Sequence, residues 1–184
     1  MVFQNSVGTD NYVSIAGGME KTNYFASVSY LKNDGIMKGT DFQRTGGRIR
    51  INQDINDWAS ASIGTYFSTS QSNDMPNGGY GFGVLQTILF TNNKIDPSRD
   101  ADGNYPNMTF YPNILEYIET FEFQQKNNRI ISDLQLNLKP VEGLNINYTL
   151  GYDNSESIGT TYVPIGTNTR VLGSASTSTI STKQ

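Results

Sequence analysis

The chain has 184 residues, 13 basic and 17 acidic, a net charge of -4, and neither histidine nor cysteine. Imidazole bases, thiolate nucleophiles, disulfides and the usual zinc and iron ligand sets are therefore excluded, and with them most familiar enzyme chemistry. No long basic stretch exists to track phosphates, so a nucleic-acid partner is not expected, and the length suits one domain or part of a larger one. The 18 glycines, 11 tyrosines and 9 phenylalanines, with many Asn, Ser and Thr, point to an all-β protein with long polar loops. No stretch reaches the roughly 18 apolar residues of a membrane-spanning helix, and Met1 to Asn5 has neither the charge nor the apolar core of a signal peptide. The lack of cysteine fits a bacterial surface protein as well as a cytosolic one.

Two-residue periodicity marks the strands, because successive side chains of a strand point to opposite faces. A weak strand spans about 11–18. The next, about 23–32, sets Tyr24, Ala26, Val28 and Tyr30 against Phe25, Ser27, Ser29 and Leu31. In about 41–53, Arg44, Arg48, Arg50 and Asn52 oppose Thr45, Gly47, Ile49 and Ile51. In about 58–70, Ala59, Ala61, Ile63, Thr65 and Phe67 alternate with Ser60, Ser62, Gly64, Tyr66 and Ser68. A long connection over about 71–126 follows, in which Val84, Leu85, Ile88 and Leu89 fit one face of a short helix behind Gly78, Gly79, Gly81 and Gly83.

The clearest alternation comes last. In about 127–138, Ile130, Ser132, Leu134, Leu136 and Leu138 oppose Ile131, Asp133, Gln135 and Asn137. In about 144–154, Leu144, Ile146, Tyr148, Leu150 and Tyr152 oppose Asn145, Asn147, Thr149, Gly151 and Asp153. Lys139 to Gly143 turns one into the other, which makes a hairpin. The stretch Ser174 to Thr179 reads as an unfinished loop.

Connection lengths carry a second signal. Tight turns fall near Met19 to Thr22, Asp54 to Asp57 and Lys139 to Gly143, and the longer connections alternate with them. Outer-membrane barrels have this order, with tight periplasmic turns and long external loops, and a soluble sandwich has no reason to adopt it. A closed barrel needs about eight strands, and an open sheet leaves edges that lipid does not tolerate. The expected architecture is therefore antiparallel and up-and-down, part of a larger transmembrane β-barrel, with one long extracellular loop containing a short helix.

Several separated stretches, in order over about residues 10 to 155, resemble the SusC/RagA group of TonB-linked outer-membrane proteins of the Bacteroidetes type. They are Ser14 to Ser27, Asp34 to Phe42, Arg48 to Asn52, Ile95-Asp96-Pro97, Asp102 to Tyr105, and Pro140 to Leu144. The resemblance implies a large plugged barrel in the cell outer membrane. It also implies import of oligosaccharides or peptides beneath a SusD-like surface lipoprotein lid, driven by TonB. The chain departs by omission: neither a TonB box nor a plug precedes Asn11, so TonB would act through an N-terminal region not represented here. No cofactor is implied.

Candidate sites follow from these readings. Tyr80, Phe82, Phe90, Tyr105, Phe110 and Tyr111 in the long loop would stack on a ligand or pack against the lid; alternatively they form the loop's own small core. Arg44, Arg48, Arg50, Asp133, Asn145, Asn147 and Asp153 would face a wet lumen, since charge facing lipid costs roughly 2 to 4 kcal/mol near mid-bilayer. In a soluble protein they would be an ordinary solvated face. Trp58, Tyr66, Tyr148 and Tyr152 lie near strand ends, where interfacial aromatic girdles belong.

Ser98, Asp100, Asp102, Gly103 and Asn104 imitate half of a calcium loop. Thr109 stands where a bidentate Glu belongs, so an Asp-Gly turn is the better account and no metal site is assigned. Glu116 and Glu119 are close on a helical face, and a solvated face fits them better than a glycosidase pair. No nucleophile and base pair suggests an enzyme or a catalytic residue. The competing reading is a secreted β-sandwich adhesin or carbohydrate-binding module.

Overall fold

A computed structural model describes residues 2–75, 83–108, 111–165 and 174–184. Seven strands and two short helices follow in chain order among these residues. The strands are β1 (Gly8–Met19), β2 (Thr22–Asp34), β3 (Asp41–Asn56), β4 (Ala59–Asn73), β5 (Glu122–Val141), β6 (Leu144–Val163) and β7 (Ser174–Lys183). Helices α1 (Val84–Phe90) and α2 (Ile114–Thr120) lie between β4 and β5. All seven strands form one antiparallel sheet in sequence order, open at both edges. The described residues form no second sheet facing it, so the architecture is not a sandwich.

The strands differ from the expected ones in extent. β5 and β6 are 20 residues each, and β7 stands where an unfinished loop was expected. The added residues, such as Gln124 to Asn128 and Ser174 to Thr179, are polar on both faces. They carry no alternation to read, although their backbone pairs normally.

Every two-residue turn lies at one end of the sheet: Glu20-Lys21, Asp57-Trp58 and Glu142-Gly143. Gly143 takes a φ of 82°, which only glycine adopts without cost. Beside it, the register shifts between Leu138 and Val141 around Pro140, a residue with no N–H to give the ladder. The longer connections all leave from the other end.

The strand register places Val13, Ile15, Tyr24, Val28, Ile49, Ile51, Ile63, Phe67, Leu134, Leu136, Ile146 and Leu150 on one face. Nothing among the described residues covers them: Ile63 is 52% and Leu150 55% exposed. A contiguous apolar face of this extent is not compatible with water, but suits hydrocarbon. Glycines on this face are overlaid by aromatic neighbours, since a Cβ on Gly17 would strike Tyr24 and one on Gly47 would strike Phe67.

The apolar band slants across the strands. It runs from Tyr24 to Tyr30 on β2, centred at Ser27, and from Leu144 to Tyr152 on β6, centred at Tyr148. Ser27, however, is in register with Asp153 through Arg48, Tyr66 and Ile131. The band therefore slips by five residues over four strand spacings. At about 3.3 Å per residue and about 4.8 Å between strands, a level band requires strands tilted by about 40°. Transmembrane barrel strands tilt by roughly 35 to 45°.

The buried core lies elsewhere, at the long-connection end. Met37, Met75, Val84, Ile114, Tyr117, Ile118, Phe121 and Val163 pack together there, with Val2, Ile88, Leu115 and Phe123 against them. On α1 the buried residues are Val84 and Thr87, while Leu85 and Leu89 are exposed, so the inward face is rotated from the one expected.

Ile63, at the midpoint of the band on β4, tests the two-faced wall. In the complete barrel, Ile63→Arg costs about 2 to 4 kcal/mol, whereas Thr149→Arg on the opposite face costs little. Equilibrium urea unfolding in lipid vesicles measures both; equal costs would remove the assignment of the lipid face.

Candidate functional site

The face opposite the apolar band is polar, and the register puts Arg44, Arg48, Arg50, Asp133, Asn145, Asn147 and Asp153 all on it. Two ion pairs organise this face. Arg50 Nη2 donates to both carboxylate oxygens of Asp133, at 2.8 and 2.9 Å, reaching from β3 to β5 across the whole width of β4. Gly64, between them in the same row, makes that reach possible: a Cβ there would sit 2.7 Å from Asp133 Oδ1 and 2.8 Å from Arg50 Nη2. Arg50 also donates to Ser62 Oγ at 3.3 Å. The second pair joins Arg129 to Asp153, with Nε to Oδ1 at 3.0 Å and Nη2 to Oδ2 at 2.5 Å. Sequence spacing singled out neither Gly64 nor Arg129, because Arg50 and Asp133 are 83 residues apart. Arg44 and Arg48 are exposed and make no ion pair among the described residues.

Of the loop aromatics, Tyr80, Phe82 and Phe110 lie outside the described residues. The others do not form a single group. Phe90 is exposed and stacks on Tyr111, with ring centroids 5.6 Å apart and planes at 16°. Tyr105 lies under the Arg99 guanidinium, 4.4 Å from ring centroid to carbon. The loop's own core is built instead from Tyr117, Phe121 and Phe123, whose rings lie 4.3 to 6.4 Å apart. Burial pushes the Tyr117 hydroxyl up to about 12.

Asn113, fully buried, fastens this loop. Its side-chain oxygen accepts from the N–H groups of Leu115 and Glu116 and so caps α2, while its amide donates to the Pro97 and Pro106 carbonyls. The Asp-Gly turn forms as expected. Asp100 Oδ1 accepts from the Asp102 and Asn104 N–H groups at 3.0 and 2.8 Å, and Gly103 takes a φ of 85°. Arg99 ties the turn to α2 through Glu119 at 2.9 Å and to the Gly103 carbonyl at 3.0 Å.

No protein-family model matches the chain. Among curated proteins it is similar to TonB-dependent receptor P39 of Formosa agariphila, at 29% identity over 159 residues, covering 80% of this chain and 14% of the receptor. Among solved structures it is similar to the RagAB peptide transporter, with a TM-score of 0.74 and 16% identity, over 92% of this chain and 20% of that one. The RagAB peptide importer in its 'closed-closed' and 'open-open' states gives TM-scores of 0.71 and 0.72, at 19% and 17% identity, again over 92% of this chain and 20% of the importer. The likeness is one of fold, a wall of antiparallel strands like part of the RagAB transporter. The chain spans 14% of the curated relative and 20% of the solved transporters.

In such a wall an aromatic girdle belongs on the lipid side. Tyr148 and Tyr152 are on the apolar face, joined by Tyr24 and Tyr30. Tyr66 is not, because its register partners Arg48 and Ile131 place it on the polar face. A two-residue period fixes which residues share a face within one strand, and cross-strand register is needed to say which face that is.

The loop clasp has a pH signature. The Tyr105 hydroxyl and the Arg99 guanidinium beside it hold the Glu119 carboxyl below the usual carboxylate range. Stability from this contact is therefore complete above the ordinary Glu range and is lost as pH falls through the lowered value. Glu119→Gln should melt below the wild type near neutral pH and converge with it in acid. Parallel melting curves at every pH would show that the clasp contributes nothing.

Proposed function

We propose that this chain is a segment of an outer-membrane TonB-dependent transporter that imports oligosaccharides or peptides, and that it supplies barrel wall and one external loop. The observation that carries this reading is the tilted, two-faced sheet with all its tight turns at one end, together with its likeness to the RagAB peptide transporter. The apolar face meets outer-membrane lipid. The polar face, with Arg44, Arg48, Arg50, Asp133, Asn145, Asn147 and Asp153, lines the lumen. The long-connection end is extracellular. There Phe90, Tyr105 and Tyr111, with Tyr80, Phe82 and Phe110, meet a SusD-like surface lipoprotein or the incoming substrate, and TonB acts through the N-terminal region of the whole protein.

Exposed Phe90, stacked on half-buried Tyr111, is the part of this loop best placed to receive a sugar ring, a peptide side chain or a partner surface. The test uses the full-length protein in its native cell. It should fractionate with the outer membrane, and deleting it should stop TonB-dependent uptake of a fluorescent peptide or oligosaccharide. Phe90→Ala combined with Tyr111→Ala should lower uptake severalfold without changing the amount of folded barrel. Recovery in the soluble fraction would overturn the reading.

A further inference from the structure

Among the described residues, two of the four arginines on the polar face stand outside its ion pairs, as do Asp10 and Asp54 at its two ends. Both oxygens of Asp133 are taken by Arg50, and both oxygens of Asp153 by Arg129. Asp10, in the same register row as Arg44, stands two strands away on β1 and makes no ion pair with it. Arg44 and Arg48 are left as two exposed arginines on one strand face, their Cα atoms four residues and so about 13 Å apart.

The ground between them is cleared of bulk. The row separating them reads Ser29, Gly46, Ser68 across β2, β3 and β4. Over Gly46 leans the hydroxyl of Tyr66, 3.2 Å from where a Cβ would be. A pocket of about 330 Å³ lined by Arg48, Gly64, Thr65, Tyr66, Ile131 and Asp133 opens beside it. Two fork-shaped cations with a phenol between them and small side chains beneath are suited to binding anions along a line.

We infer that Arg44, Tyr66 and Arg48 form an anion-binding trough for an extended chain bearing carboxylates on one side, such as an acidic peptide. This inference rests on the lumen-facing reading above and deepens it. An extended peptide repeats its side-chain direction every second residue, so carboxylates four residues apart match the backbone spacing of the two arginines. The same carboxylates have two possible sources, a transported cargo or a resident segment of the whole receptor that fills the lumen.

The probe is a blocked hexapeptide in which glutamate alternates with serine, compared with its glutamine counterpart. Binding to the purified full-length receptor is read by fluorescence anisotropy, and melting is read in parallel. If the trough takes cargo, the acidic peptide binds about tenfold tighter than the neutral one. The preference fades as ionic strength rises and the screening length shrinks from roughly 30 Å to roughly 3 Å. It is lost in Arg44→Gln/Arg48→Gln and largely kept in Arg44→Lys/Arg48→Lys. If a resident segment occupies the trough, the peptides bind alike, and the double Gln variant melts several degrees lower than the double Lys variant.

A receptor whose double Gln variant changes neither peptide preference nor melting has no such trough. Outer-membrane fractionation reads the transporter assignment separately, so a receptor that fractionates correctly and fails both readouts loses only the trough.

Discussion

A bilayer interior offers no hydrogen-bonding partner, and that single fact shapes the sheet. Each backbone N–H and C=O within the band must pair with a neighbouring strand, so the strands run long and their register shifts are confined to the tight-turn end. With the backbone satisfied, only the side chains can tell hydrocarbon from water. The two-residue period then becomes the whole description of the wall: Ile49, Ile63 and Leu150 toward one medium, Arg50, Gly64 and Asp133 toward the other. What would be a misfolding hazard in a soluble protein is here the stabilising surface. The edges of β1 and β7 remain open in the described residues, and in lipid further strands must cover them.

A second kind of stabilisation takes over beyond the band. At the long-connection end the chain is surrounded by water and builds an ordinary small core, with Tyr117 and Phe121 packed over Met37 and Met75. Its anchors are polar as well as apolar. Asn113 satisfies both ends of its amide inside that core, and Gly39, at a φ of 78°, brings the connection between β2 and β3 close enough to α2 that a Cβ would touch Met75 and Ile118. The loop is thus tied to the connection between β2 and β3 and, through Val163, to the end of β6, and is not a loose insertion between β4 and β5.

The difference between these two regions explains what could be read from the sequence. Leu144 to Tyr152 and Ile130 to Leu138 announce themselves because lipid on one side and water on the other forces alternation at every step. Gln124 to Asn128 and Asn154 to Thr161 are equally regular strands, but water lies on both faces, so no pattern is imposed and only the backbone ladder reveals them. For α2 a signal existed: Ile114, Tyr117, Ile118 and Phe121 recur at helical spacing behind a capping Asn113. The pairing of Arg50 with Asp133 had none. It depends on two intervening register relationships and on the absence of a side chain at Gly64, none of which leaves a local trace.

Strand length connects the wall to the loop. The apolar band on β5 begins at Ile130, yet the strand begins at Glu122, eight residues nearer the loop. At about 3.3 Å per residue and a tilt of about 40°, those residues lift the loop core about 20 Å beyond the edge of the hydrocarbon. Nearly half of the strand is therefore outside the membrane, holding α1, α2 and the Phe90 and Tyr111 stack clear of the lipid headgroups. A loop that only joined two strands would need no such extension. Raised on a stiff ladder and locked by Asn113, it presents one fixed surface at the long-connection end of the sheet.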